Sequence, residues 1–233
     1  MNTFHPTFRT HKRLQKLFFS FFCCAIFFGL LLFSGCQKKV NYFEYVSENR
    51  SNVLLAEDEN FSLKVYALKR EIPYLSDGIP KTTSTLTEIR LAAPSGEKTY
   101  EIFFTVKGKT YGGETSYDNV KSEYFYSCSL DVSKESEIPF EIKFEDTVVA
   151  LNAKSVRTDK TLSPEKILFS LRKAENGLFR SMTDEYGFKG EIYIRLIFEE
   201  SPYYYIGVIG RDKKTYAFLL NAETGKILAK RES

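Results

Sequence analysis

From Tyr42 to Arg157 apolar and polar residues alternate with a period of two, and helical spacing appears only beyond that point. Phe61, Leu63, Val65 and Ala67 form one such face, Tyr100, Ile102, Phe104 and Val106 another, followed by the set from Tyr124 to Val132 and by Phe140, Ile142 and Phe144. Successive side chains of a strand point to opposite sides, so this pattern buries one face and wets the other. Asp77-Gly78, Pro94-Ser95-Gly96, Gly108-Lys109 and Gly112-Gly113 supply the reversals, and Ile72 to Thr85, with two prolines and a glycine, reads as a loop. The expected product is an antiparallel β-sandwich over 53–157, immunoglobulin-like in broad architecture, an analogy that carries no function.

The period changes after Arg157. Ser163 is a candidate cap, Pro164 suits the first helical position, and Leu162 is placed to staple onto Ile167. Ile167, Leu168, Leu171, Ala174 and Leu178 recur at helical spacing, with Asn176-Gly177 as the expected stop. Strands are expected at Glu191–Glu199, Tyr203–Ile209, Thr215–Leu220 and Ile227–Ala229, joined by hairpin turns at 210–214 and 221–225. The class is therefore mainly β, or α+β: a sandwich followed by a small helix-plus-antiparallel-sheet domain over 158–233.

A different pattern opens the chain. Arg9, Lys12, Arg13 and Lys16 precede an apolar run from Leu17 to Phe33, and Ser34-Gly35-Cys36 follows. Basic, then apolar, then small is the order of a secretory signal. The run Leu31-Leu32-Phe33-Ser34-Gly35-Cys36 resembles the lipobox of bacterial lipoproteins, although Phe33 stands where that motif usually has Leu. The resemblance implies that residues 1–35 are removed, that Cys36 carries acyl chains such as palmitate, and that 36–52 is a linker to the membrane. The alternative is an uncleaved transmembrane helix, since the 17 residues from Leu17 to Phe33, broken only by Ser20 and Gly29, reach the short end of the ~17–25 that span a bilayer. Either way the basic flank keeps the remainder on the outer side.

Removal of residues 1–35 takes four of the 33 basic residues and none of the 30 acidic ones, so the formal charge moves from +3 to −1. Such a chain offers no electrostatic footprint for nucleic acid. Both histidines, His5 and His11, leave with the signal. Without imidazole, Ser-His-Asp and Cys-His nucleophile systems and His-ligated zinc sites cannot be built. Cys128 is then the sole cysteine besides Cys36, which excludes an internal disulfide, and its place in an alternating strand reads as an inert core thiol.

The last strands close on Tyr216-Ala217-Phe218-Leu219-Leu220-Asn221-Ala222-Glu223-Thr224-Gly225-Lys226-Ile227-Leu228, which resembles the terminal hairpin of PepSY domains, with Asn221 in place of the usual Asp. The resemblance covers about a third of the chain after Cys36. It implies a non-catalytic module of secreted and membrane-attached bacterial proteins, some of which act beside peptidases, and it brings no site residues.

Three other constellations have plain structural readings. Glu57-Asp58-Glu59-Asn60 lacks the ligand spacing of a calcium loop, Glu199 and Glu200 flank a turn, and Tyr203-Tyr204-Tyr205 cannot form one platform because the middle ring points away from its neighbours. The expectation is a lipid-anchored, extracytoplasmic protein of the bacterial envelope with a binding or regulatory role, not an enzyme. Its only anchor residue is Cys36, it has no catalytic residue, cofactor or metal, and its partners are the membrane and an envelope protein or peptidase. The alternative is a carboxylate-dependent envelope hydrolase, recognisable as a cleft with two carboxyl groups ~5–9.5 Å apart.

Overall fold

Alternation becomes a sheet of unusual extent. The computed structural model describes residues 40–94 and 98–233. A 3₁₀ turn at Tyr42–Tyr45 leads into β1 (Val46–Glu57), followed by β2 (Ser62–Glu71), β3 (Thr83–Ala92), β4 (Glu101–Val106), β5 (Lys109–Glu114), β6 (Ser116–Asp118), β7 (Glu123–Cys128), β8 (Glu137–Phe144) and β9 (Thr147–Ser155). Helices α1 (Pro164–Ala174) and α2 (Asn176–Ser181) come next, then the small hairpin β10 (Thr183–Asp184) and β11 (Gly187–Phe188). The chain ends in β12 (Gly190–Phe198), β13 (Pro202–Gly210), β14 (Thr215–Asn221) and β15 (Ile227–Glu232).

The long sheet runs β15-β14-β13-β12-β1-β2-β3-β7-β6, and β1 also starts a second path through β9, β8 and β4 to β5. β1 is thus shared. Its first residues pair in parallel with β12, from Val46 opposite Ile192 to Arg50 opposite Arg195, while Leu54 and Leu55 pair with Ser155 and Lys154 of β9. Between these uses the register against β2 shifts at Ser51, a bulge that bends the strand from one partner to the other. Asn52 secures the bend: its Nδ2 donates to the Val132 and Glu135 carbonyls at 3.3 and 2.9 Å, and its Oδ1 accepts from Ser155 Oγ at 2.7 Å.

Strand pairing crosses the segment boundaries expected from the sequence. Residues 46–52, expected as linker, are strand and carry the parallel pairing that joins the two sheets' worth of chain. Residues 41–233 group as one compact unit. The mainly β, sandwich-like class stands.

Two cores lie on the same side of the long sheet. In the first, Leu54, Leu63, Val65, Ile89 and Leu91 face Ile102, Phe104, Ile138, Phe140 and Ile142 of the second sheet, all fully or nearly buried. Pairing carries that face across β1, since Asn49 lies opposite both Lys69 and Ile194, which puts Ile192, Ile194 and Leu196 on the same side. Here Ile167, Leu168 and Leu171 of α1 are buried together with Tyr204, Ile206, Phe218 and Leu220. Each such side chain contributes ~1.5–3 kcal/mol on leaving water.

α1 begins as its sequence dictates. Ser163 Oγ accepts from the Lys166 amide at 3.4 Å and Pro164 opens the first turn. The Tyr204 hydroxyl donates to the Leu162 carbonyl at 3.0 Å, and the Leu162 amide donates to Ala222, so both ends of the sheet hairpin hold the helix start. Gly225, at φ +69°, completes the β14–β15 turn, where a Cβ would lie 2.7 Å from Ser170 Oγ. Asn176-Gly177 does not terminate helical structure. After a break at Glu175 the chain makes the six-residue α2, which carries Phe179 into the core at 0 % exposure.

Candidate functional site

The opposite face of the long sheet carries the polar chemistry. Leu63, Val65 and Ala67 point into the core, so Lys64, Tyr66, Leu68 and Arg70 point out, and their cross-strand neighbours share that face. Those neighbours include Glu48 and Arg50 on β1, and Glu88 and Arg90 on β3. Parallel pairing extends the row to Tyr193 and Arg195 on β12, and Arg195 in turn lies opposite Tyr205 on β13.

Charges on this strip are matched in a specific way. Glu48, 2 % exposed, accepts two hydrogen bonds from Arg195, from Nε and Nη2, each at 2.8 Å. This fork-to-carboxylate geometry is the strongest form of the pair. Burial works against the Arg195 charge, but the Glu48 hydrogen bonds and field outweigh it and hold the guanidinium pKa above its ordinary value. Glu88, 4 % exposed, takes Arg70 at 3.3 Å and Arg90 at 2.6 Å, and Arg90 also reaches Glu123 at 3.4 Å.

Arg50 has no carboxylate among the described residues. Its guanidinium lies 4.1 Å from the centre of the Tyr66 ring, and its Nε is out of solvent without a hydrogen-bond partner. Burial lowers its pKa, Tyr66 and Glu48 oppose this, and Arg195 on the neighbouring strand adds to the lowering. The strip therefore presents a half-buried guanidinium without an ion-pair partner among the described residues, held over an aromatic ring. Arg195 stacks similarly on Tyr193 at 4.5 Å, and Tyr193 packs on Tyr205 at 5.7 Å.

One end of the strip lies under the β2–β3 connection, residues 72–82. Two glutamates on the sheet hold it. Glu191 Oε2 accepts from the Gly78 amide at 3.0 Å and Oε1 accepts from Ser47 Oγ at 3.4 Å, while Glu71 Oε1 accepts from the Lys81 amide. Both carboxylates are sealed, at 0 % and 1 % exposure, with the Tyr74 hydroxyl also out of solvent beside Ser47 and Glu191. Gly78 sits so close to Gly210 that a Cβ would lie 2.6 Å from its carbonyl oxygen, which seats this strap directly on the end of β13.

The pair resembles a catalytic carboxylate couple in charge only, because both side chains are sealed from solvent and one oxygen of each, Glu191 Oε2 and Glu71 Oε1, accepts from a main-chain amide of the strap, although Glu71 Oε2 is buried without a partner among the described residues. It does predict a pH effect. Burial raises the Glu191 pKa above the usual carboxylate range; the Gly78 amide opposes this, and the neighbouring Glu71 and Asp77 carboxylates reinforce it. The native state then holds this proton more tightly than the unfolded chain, whose value is ~4.3. The resulting stabilisation is complete below that unfolded value and is lost as pH rises through the folded one. Glu191→Gln keeps the acceptor for Gly78 and removes the charge. Its urea midpoint should exceed that of the wild type near neutrality and converge with it in acid, whereas a pH-independent offset would refute the assignment.

The remaining sequence candidates fall as follows. Cys36 lies outside the described residues. Cys128 is half-buried at the margin of the first core, and burial raises its pKa, which suppresses thiolate chemistry. Asp58 caps its own turn by accepting from the Asn60 and Phe61 amides at 2.8 and 2.7 Å. Tyr204 points into the core at 0 % exposure while Tyr203 and Tyr205 point the other way. Among the described residues no group of three or more acidic, Cys or His side chains could hold a metal ion, and no helix is long and apolar enough to cross a membrane. A shallow groove of ≈ 510 Å³ crosses the outer face of the second sheet between Phe103, Pro139 and Asn152.

Sequence reasoning did not single out Arg50, Arg195 or the glutamates they face. Lys64-Val65-Tyr66 and Glu191-Ile192-Tyr193-Ile194-Arg195 did carry a signal, the appearance of charged residues and Tyr at the polar positions of an otherwise apolar strand. Comparison of the chain with family models, with curated proteins and with solved structures finds no match.

Proposed function

We propose that this chain is a lipid-anchored protein of a bacterial cell envelope that binds its ligand without transforming it, and that the ligand presents an anionic group, a carboxylate or phosphate, to Arg50. The observation that carries the ligand class is the guanidinium itself: mostly buried, stacked on Tyr66, beside Arg195, and without a carboxylate of its own. Leaving such a donor unmatched is costly, and an arriving oxyanion relieves the cost while the planar fork fixes its orientation. The Tyr66, Tyr193 and Tyr205 rings flank the position and suit an organic ligand better than a free ion.

The anchor rests on the Ser34-Gly35-Cys36 motif behind its apolar run. The PepSY reading of 158–233 is supported by α1 lying on the four antiparallel strands β12 to β15 of the long sheet, whose last hairpin turns at Asn221–Gly225. With it comes the proposal that the ligand belongs to an envelope protein or peptidase. Glu71 and Glu191 are a candidate pair for a carboxylate-dependent hydrolase, and their use first requires the strap to lift.

Two measurements test this. Mass spectrometry of the mature N-terminus should find an acylated Cys36 at residue one. Calorimetric titration of the full chain in detergent micelles with inorganic phosphate and with an N-acetylated dipeptide bearing a free carboxylate should detect binding of at least one. Arg50→Gln should weaken it by about tenfold or more, the usual size of a lost charge-assisted contact. Equal affinity in the variant, or no binding of either anion, removes the anion assignment while leaving the anchor untouched.

A further inference from the structure

The strap that Glu71 and Glu191 hold down exposes three large aliphatic side chains: Ile72 at 66 %, Leu75 at 48 % and Ile79 at 49 %. Its inward positions are Tyr74 and Gly78, so the segment is ordered from below and apolar on top. Single exposed hydrophobes are ordinary, but three within eight residues on one pinned loop mark a contact surface.

Strand directions place this loop at a particular end of the molecule. β1 starts there, and β2 ends there, since Glu48 pairs with Arg70. β12 starts there and β13 ends there, with Val46 opposite Ile192 and Gly190 opposite Gly210. The hairpin carrying Tyr186, 81 % exposed, leads directly into β12 at the same end. The chain also enters the unit here, at Asn41, where Tyr42 packs on Phe179 and Phe188. Cys36 is five residues earlier, a span of at most roughly 17 Å of extended chain.

We infer that this end docks on the bilayer, with Ile72, Leu75 and Ile79 entering the headgroup–acyl boundary and Tyr186 beside them at headgroup depth. The inference rests on the anchor reading for its bilayer, because the short tether from residue 36 enters the unit at this end. Charge does not drive the contact. Lys81 pairs with Asp77 at 3.0 Å and Lys189 with Asp184 at 3.1 Å, and the exposed Arg211, Lys213 and Lys214 are matched in number, without ion pairs among the described residues, by Glu185, Asp212 and Glu232 at the same end. Insertion of apolar side chains is the remaining source of affinity, and it fixes the sheet upright with the Arg50 strip running away from the membrane.

The chain contains no tryptophan, which makes one introduced indole an unambiguous depth probe. Ile79→Trp tests the strap. Val120→Trp, in a turn 94 % exposed, tests the far end, because β7 begins where β3 finishes. Full-length lipoprotein is reconstituted into neutral vesicles doped with anionic lipid and containing lipids brominated along the acyl chains, with the mass of the N-terminal peptide measured on the same sample. The expected result is about a twofold or greater loss of Ile79→Trp emission with a blue shift, little change for Val120→Trp, and little response to salt. Unquenched emission from Ile79→Trp on vesicles whose Cys36 is acylated overturns docking and spares the anchor. Equal quenching at both positions also overturns it. Quenching of Ile79→Trp alone in chain whose Cys36 is unmodified sustains docking and removes the lipid.

Discussion

Glu48→Ala should destabilise the protein by about 3–5 kcal/mol, the cost of stranding the partner of a buried ion pair. Glu48 is 2 % exposed and receives both forks of Arg195 at 2.8 Å. It also sits on the strand position opposite Arg70 and next but one to Arg50. Its removal leaves guanidiniums facing one another across β12, β1 and β2 with Glu88 as the nearest remaining carboxylate to Arg70. Surface pairs are worth little by comparison, and salt would erase them. Glu48→Gln keeps the shape and one acceptor but not the charge, and should fall between the wild type and Glu48→Ala. Glu48→Leu combined with Arg195→Met should recover most of the loss, because apolar side chains of similar volume replace a buried pair at small net cost. Urea titration of the four proteins reads this directly, as midpoint shifts at constant m-value. A loss below about 1 kcal/mol for Glu48→Ala would show that the pair behaves as though solvated, and the reading of Arg50 as a costly unmatched charge beside it would go with it.

That pair also explains what could be read from the chain and what could not. Where one face of a strand is apolar and the other wet, as in Phe61 to Ala67 or Tyr100 to Val106, alternation is visible and the strand is found. Val46-Ser47-Glu48-Asn49-Arg50-Ser51-Asn52 shows no such alternation, and it was natural to expect a linker there. Its polar residues are nevertheless buried or half-buried, because their partners come from elsewhere: Ser47 and Glu48 from β12, and Asn52 from the segment before β8. Glu48 and Arg195 are separated by 147 residues, and no local pattern announces the meeting. The candidate site shares this fate. A lone arginine in a strand reads as a solvated side chain until Leu68, Tyr66 and Arg195 are placed around it by pairing. The turns fared better, since Asn221 accepts from the Glu223 and Thr224 amides at 3.1 and 2.9 Å as an Asn in that position should.

Phe179→Ala should be comparably severe, at about 3–5 kcal/mol, and more local in its consequences. The ring is 0 % exposed and sits among Tyr42 at 5.1 Å and Phe188 at 5.9 Å, with Tyr45 beyond, edge-on to Phe188 at 5.4 Å. This cluster explains why helical structure resumes after the break at Glu175: Asn176-Gly177 alone favours a stop, but burying a phenylalanine outweighs the ~1 kcal/mol that a helical glycine costs. It also explains how the chain's entry is fixed. Tyr42 has its ring on Phe179 and its hydroxyl 3.2 Å from Thr183 Oγ1, whose own hydroxyl bonds the Phe179 carbonyl at 2.7 Å. Removing the ring opens a cavity that the two-residue strands of the β10–β11 hairpin have little means to close. Hydrogen exchange should therefore accelerate first at the 3₁₀ turn, α2 and this hairpin, while the first core, which shares none of these contacts, keeps its protection. Uniform acceleration across both cores would show that 41–233 unfolds as one cooperative unit with no separable entry cluster. In that event the position of residue 41, and with it the upright setting of the sheet on a membrane, would depend on the stability of the whole molecule and not on this group of rings.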